Sequence, residues 1–204
     1  MFGGGHRIVE LTKLTGMAKD TIIIPEGRKE IKDFEFAGQR ELRHVVIPDS
    51  VERIGVGAFN DSGVEELVFP ASLREIGDLS DLKRADMSRC VHIREILSPG
   101  FYRGGSDGVV ILPPNIGRIG DRCFNRLDSL YAPETLREVG EMEMTGLFCL
   151  SPSLKSLRGM KRCILHPLEA HADRYREQMR REGISESMFD IDPMPYYLAY
   201  MYKK

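Results

Sequence analysis

A unit of about 22 residues recurs along this chain: an extended apolar stretch, a Pro, then an Ile followed five residues later by a Phe. It reads as Ile22-Ile23-Ile24-Pro25 with Ile31 and Phe36, as Val45-Val46-Ile47-Pro48 with Ile54 and Phe59, and as Val110-Ile111-Leu112-Pro113 with Ile119 and Phe124. So short a unit cannot bury its own apolar face. Copies must stack on one another, and the period therefore predicts a solenoid. The prolines set the register: 23 residues separate Pro25 from Pro48, 22 separate Pro48 from Pro70, and 20 separate Pro113 from Pro133. The 43 residues between Pro70 and Pro113 leave room for one more unit, Leu82-Lys83-Arg84-Ala85-Asp86-Met87, with Ser88 in the Pro position and Ile96 followed by Phe101. Six units thus start near residues 20, 42, 64, 82, 107 and 127.

Within a unit the alternation of a strand sends Val45 and Ile47 inward and Val46 outward. Pro48 has no amide hydrogen and ends the ladder. Val51 and Ile54 then turn inward again, and Gly55, Gly77, Gly120 and Gly140 share the phase that follows, where no Cβ has to be accommodated. The Phe five residues after the Ile fills the space between rungs. Val139 with Met144 is a softened copy, whereas the Leu73-Ile76 unit has Asp81 in the Phe position, which predicts a rung trimmed on its far side. Before the repeat Ile, Lys29, Glu52, Arg74, Arg94 and Arg137 form one charged column, with Glu30, Arg53, Glu75, Glu95, Arg118 and Glu138 beside it. Signs alternate across several neighbouring rungs, as expected of a solvated ladder in which stacked strands offset one another's charge.

The unit Leu42-Arg43-His44-Val45-Val46-Ile47-Pro48-Asp49-Ser50-Val51-Glu52-Arg53-Ile54-Gly55-Val56-Gly57-Ala58-Phe59 resembles the BspA-like leucine-rich repeat, L-x-x-I-x-I-P-x-S-V-x-x-I-G-x-x-A-F, nearly position for position. The resemblance covers roughly residues 20 to 145, and more weakly Leu154-Lys155-Ser156-Leu157. It implies a right-handed leucine-rich-repeat solenoid, α/β or mainly β, with a parallel sheet on one side and about six rungs. It also implies a setting often found on surface or secreted bacterial proteins that contact host or neighbouring molecules. One column departs from the pattern: the position between the two inward strand residues, usually small and polar in this family, carries larger apolar side chains here.

Composition narrows the function classes. With 29 basic against 31 acidic residues intermixed, and a net charge of −2, no polybasic footprint for nucleic acid or anionic lipid exists. Cys90, Cys123, Cys149 and Cys163 stand singly, which predicts reduced, packed thiols. The start Met1-Phe2-Gly3-Gly4-Gly5-His6-Arg7 lacks the apolar run of a signal peptide, and no stretch reaches the roughly 18 to 20 apolar residues of a membrane span. The expectation is a soluble chain without membrane insertion, either intracellular or a mature form whose leader was removed. Cys163, His166 and His171 match no zinc spacing, and Gly104-Gly105-Ser106-Asp107-Gly108 lacks the Gly-Lys-Ser/Thr ending of a phosphate loop. No nucleophile with a base is visible, so neither catalysis nor a cofactor or metal is expected.

The chain divides into a lead-in over 1–19, the repeat solenoid over 20–166, and a C-terminal cap over 167–204 with one helix and a Tyr-rich tail. Leu168, Ala172, Tyr175 and Met179 form a helical stripe that ends at Gly183, and a last strand is expected near Met188-Phe189-Asp190-Ile191. On the outer face of the sheet the register predicts a column of Ile23, Val46, Val68, Asp86, Ile111 and Tyr131. An apolar strip on a face open to water marks a contact surface. Ile23, Val46, Val68, Ile111 and Tyr131, with Tyr196, Tyr197 and Tyr200 of the tail, are therefore the candidate partner-binding residues. The tail is expected to pack on its own solenoid or to dock a partner. The expected function is a non-enzymatic protein-binding module; the alternative is an assembly subunit that self-associates through the same apolar face, and an unrecognised enzyme is third.

Overall fold

A computed structural model describes residues 20–79, 82–97, 101–102, 108–152, 154–161, 163–185, 187 and 189–192. Two series of parallel strands alternate along the chain. The first comprises β1 (Thr21–Ile23), β3 (His44–Val46), β5 (Glu66–Val68), β7 (Arg84–Asp86), β9 (Gly108–Ile111), β11 (Asn125–Ala132), β13 (Met142–Cys149) and β15 (Ile164–Pro167). The second comprises two-residue strands on the opposite side: β2 (Glu30–Ile31), β4 (Arg53–Ile54), β6 (Glu75–Ile76), β8 (Glu95–Ile96), β10 (Arg118–Ile119) and β12 (Glu138–Val139). A short β14 (Met160–Lys161) pairs the start of β13, and β15 pairs its end. The result is a mainly β, parallel-sheet solenoid of about six turns with a single helix at its C-terminal end.

The inward positions make one continuous core. Ile24, Leu67, Phe69, Ala85, Val110 and Leu112 are buried from the first strand series, and Ile31, Ile54, Ile96 and Ile119 from the second. Phe36 stacks on Phe59 at 5.6 Å, and Phe101 meets Phe124 edge-on at 5.8 Å. The third rung contributes no ring between them. Buried Leu79 stands there instead, its amide donating to the Phe101 carbonyl at 2.6 Å; Asp81 lies outside the described residues. All four cysteines are free and buried, and burial pushes the thiols of Cys90 and Cys163 up to about 12 and that of Cys149 to about 11.

Close approach of successive turns explains the recurring glycine. A Cβ on Gly77 would lie 2.5 Å from the Val56 Cα, and one on Gly140 would lie 2.6 Å from the Asp121 amide nitrogen. The chain bends just after the repeat Ile, so the backbone of one turn passes directly under this position of the next.

The stacking breaks once on each side. No ladder joins β3 to β5, so the β1–β3 pair stands apart from the sheet running from β5 to β15. The Arg43 guanidinium sits at the mouth of this gap, donating to the carbonyls of Arg40 (2.8 Å) and Gly63 (3.0 Å), and Val45 and Ile47 are only half-buried beside it. On the other side β2-β4-β6 and β8-β10-β12 are separate sheets. The third rung is thus bonded to its predecessor through β6 and to its successor through β5.

Beyond β15 a 3₁₀ turn over Glu169–His171 leads into α1 (Ala172–Glu182). Of the predicted stripe, Ala172, Tyr175 and Met179 are buried, joined by Gln178, while Leu168 precedes the 3₁₀ turn half-buried. The buried polar atoms satisfy carbonyls of the last turn: Tyr175 Oη donates to Ser151 O at 3.0 Å and Gln178 Nε2 to Leu154 O at 2.6 Å. Gly183 ends the helix at φ 67°, in the left-handed region. Of the expected last strand, Ile191 forms a single parallel bridge to Leu165.

Two outcomes follow from this packing. Gly140→Ala forces a Cβ into backbone and should cost about 1–3 kcal/mol, read from the denaturant midpoint. In the native protein at pH 8 the four thiols should resist a water-soluble thiol reagent, and all four should react at once in guanidinium.

Candidate functional site

The outer column of the sheet assembles in the predicted register. Ile23 pairs with Val46, and Val68, Asp86, Ile111 and Tyr131 are successive cross-strand neighbours. Ile23, Val46 and Val68 are 42%, 52% and 58% exposed, and Ile111 and Tyr131 are half-buried. Within the column the strongest apolar exposure, at Val46 and Val68, therefore flanks the gap between β3 and β5. Tyr196, Tyr197 and Tyr200 lie outside the described residues.

Asp86, the polar member of the column, has a local structural cause. Its carboxylate accepts the Ser88 amide at 3.0 Å. In the Pro-marked turns the residue at this position has no amide hydrogen, whereas Ser88 carries a donor that needs an acceptor. Asp two residues ahead of Ser is the compensating pair.

The column also continues beyond the expected residues. Tyr131 stacks on Phe148 at 4.6 Å with planes 14° apart, and Phe148 on His166 at 4.2 Å and 8°. The His166 Nδ1 lies 3.1 Å from the Asp192 carbonyl, which can only accept, so that nitrogen carries the hydrogen. The signal for Phe148 and His166 was present as alternation, since Leu147, Cys149 and Leu165 are buried on either side. It is hard to see because these turns lack the Pro that marks the others.

The opposite side carries the charged ladder. Lys29 bonds Glu52 at 2.7 Å, and Arg74 approaches the same carboxylate at 3.7 Å. Arg53 sits between Glu30 (3.7 Å) and Glu75 (3.6 Å) while bonding Asp33 at 3.0 Å, and Glu138 is shared by Arg118 (3.3 Å) and Lys155. Arg137 leaves the ladder, donating instead to Ser151 Oγ at 2.8 Å. The hydrogen bond and charge of Lys29 hold the Glu52 carboxyl below its ordinary value, and Lys155 does the same for Glu138. Among the described residues no three His, Cys, Asp or Glu side chains gather as a metal site, and no helix is long and apolar enough to cross a membrane.

The BspA type leucine-rich repeat region family matches the chain in six copies over residues 15–130. No curated protein matches it. Solved structures similar to it include a leucine-rich repeat protein from Bacteroides ovatus, 18% identical, covering 72% of this chain and 49% of that one with a TM-score of 0.38. A leucine-rich cell surface protein from Faecalibacterium prausnitzii is also 18% identical, covering 70% of this chain and 42% of that one with a TM-score of 0.34. The chain spans about half the length of the first of these and less of the second.

The Glu52 carboxyl has a native value below its unfolded one, so its pairing stabilises the fold above the ordinary carboxylate range of about 4.3 and the contribution is lost as pH falls through the depressed native value. Lys29→Met should return the Glu52 midpoint to the ordinary range, read by NMR titration of its side-chain carboxyl.

Proposed function

Because the chain belongs to the BspA-type leucine-rich repeat family, we propose that it is a non-enzymatic protein-binding module whose contact surface is the outer column of the sheet. One observation carries this reading. Ile23, Val46 and Val68 stand exposed on successive strands, where a sheet face left to water would be polar. At the other end of the same face Tyr131, Phe148 and His166 form a stacked aromatic strip, the kind of flat amphipathic surface enriched at protein interfaces. Tyr196, Tyr197 and Tyr200 belong to the proposed contact set because Asp192, the last described residue, lies beside His166. Chemistry has little support: burial holds the cysteine thiols protonated, so they offer no nucleophile.

The test uses Val46→Asp with Val68→Asp, two exposed positions; because Val68 faces Asp86 across the β5–β7 ladder, circular dichroism is the control for an intact fold. Partner proteins captured from the native source by the wild type should be lost by the double variant at unchanged circular dichroism, and the wild type should run as a monomer by light scattering. Equal capture by both proteins overturns the assignment of the face. A stable wild-type oligomer that the double variant breaks transfers the face to self-assembly.

A further inference from the structure

The break between β6 and β8 opens a cleft of about 320 Å³, walled by Arg74, Glu75 and Ile76 on one side and by Glu95, Ile96 and Leu97 on the other. That volume is at the small end of ligand pockets, which run from about 300 to 1,000 Å³. Two features of the sequence make the break. Leu97 stands in the phase held by Gly77, Gly120 and Gly140, so its Cβ bars the close approach that a turn needs over the bend below it. Direct pairing would also set Glu95 against Glu75 and Arg94 against Arg74. Elsewhere in these columns opposite signs meet, as in Glu30, Arg53 and Glu75.

The walls are complementary to a strand. At regular junctions on this side, one turn's carbonyls receive the next turn's amides: Lys29 O accepts from Glu52 and Arg53, Ile31 O from Gly55, and Ile119 O from Gly140. The corresponding bonds across the cleft, to Arg74 O from Arg94 and Glu95 and to Ile76 O from Leu97, are absent among the described residues. At these positions the β6 wall leaves acceptors and the β8 wall donors on two parallel edges, and beyond Gly77 the Leu79 amide on the Phe101 carbonyl joins the two turns.

We propose that this cleft takes an extended segment of a partner protein as an inserted parallel strand, with the sequence acidic, basic, β-branched, Gly. The acidic residue lies between Arg74 and Arg94, the basic one between Glu75 and Glu95, and the β-branched one between Ile76 and Ile96. Gly passes over the bend at Gly77, and a partner that runs straight on past that point leaves room for the Leu97 side chain. Glu52-Arg53-Ile54-Gly55 satisfies the same rule within the chain, but is already committed to its own ladder. The site is separate from the outer column, so it stands or falls independently of that surface.

The probe is the fluorescein-labelled, amidated peptide Ser-Glu-Arg-Ile-Gly-Ser, followed by anisotropy against the full chain. It should bind, whereas the peptide with Glu and Arg exchanged should bind about tenfold more weakly. Replacing its Gly by N-methylglycine removes the donor to Ile76 O and should cost about as much. Glu75→Gln with Glu95→Gln should weaken the parent peptide at unchanged circular dichroism, while Val46→Asp with Val68→Asp should leave it unaffected. No binding to the wild type overturns the proposal, as does equal affinity for the exchanged or N-methylated peptide. A concentration-dependent dimer that excludes the peptide also overturns it, assigning the cleft to a second copy.

Discussion

The whole structure depends on one turn lying close enough over the next for their backbones to exchange hydrogen bonds at equivalent positions. No turn has a core of its own: Ile54 is buried because Ile31 lies on one side of it and Ile76 on the other. That distance is set by the backbone rather than by the side chains. It is why a Gly follows the repeat Ile in most turns, and why a ring of one turn meets that of the next, stacked for Phe36 on Phe59 and edge-on for Phe101 and Phe124.

The third turn bears the strain of this rule. It gives its second-series strand to the turns before it and its first-series strand to the turns after it, leaving an opening on each side. The two openings differ in chemistry. Around the first, Val46 and Val68 present apolar side chains to solvent, with an arginine holding stray carbonyls at its mouth. The second presents bare strand edges and like charges. At the second, sequence and geometry agree, since Leu97 and the like-charged pairs stand where the ladder stops.

Much of this was legible in advance because the repeat states its register at every rung. Val46 and Val68 fall outward and Ile54 inward once Pro48 is aligned with Pro70, whereas the filling of the third rung by Leu79 is not marked in the repeat. The charged columns could be written down as well, although not that Arg137 would turn aside to Ser151. Phe148 and His166 escaped notice because their turns lack the Pro. Asp86 interrupts the apolar column, and its bond to the Ser88 amide makes it the counterpart of a lost Pro.

By itself, the sequence determined the solenoid, its parallel strands, which residues face inward and which columns face out, since all of these follow from a period and an alternation. Where the stack opens was decided only by the tertiary structure. Leu97 in place of a glycine and Glu75 opposite Glu95 are unremarkable residues until two turns are brought within bonding distance. Whether two edges pair is a question of contact across space, and a linear repeat does not contain that answer.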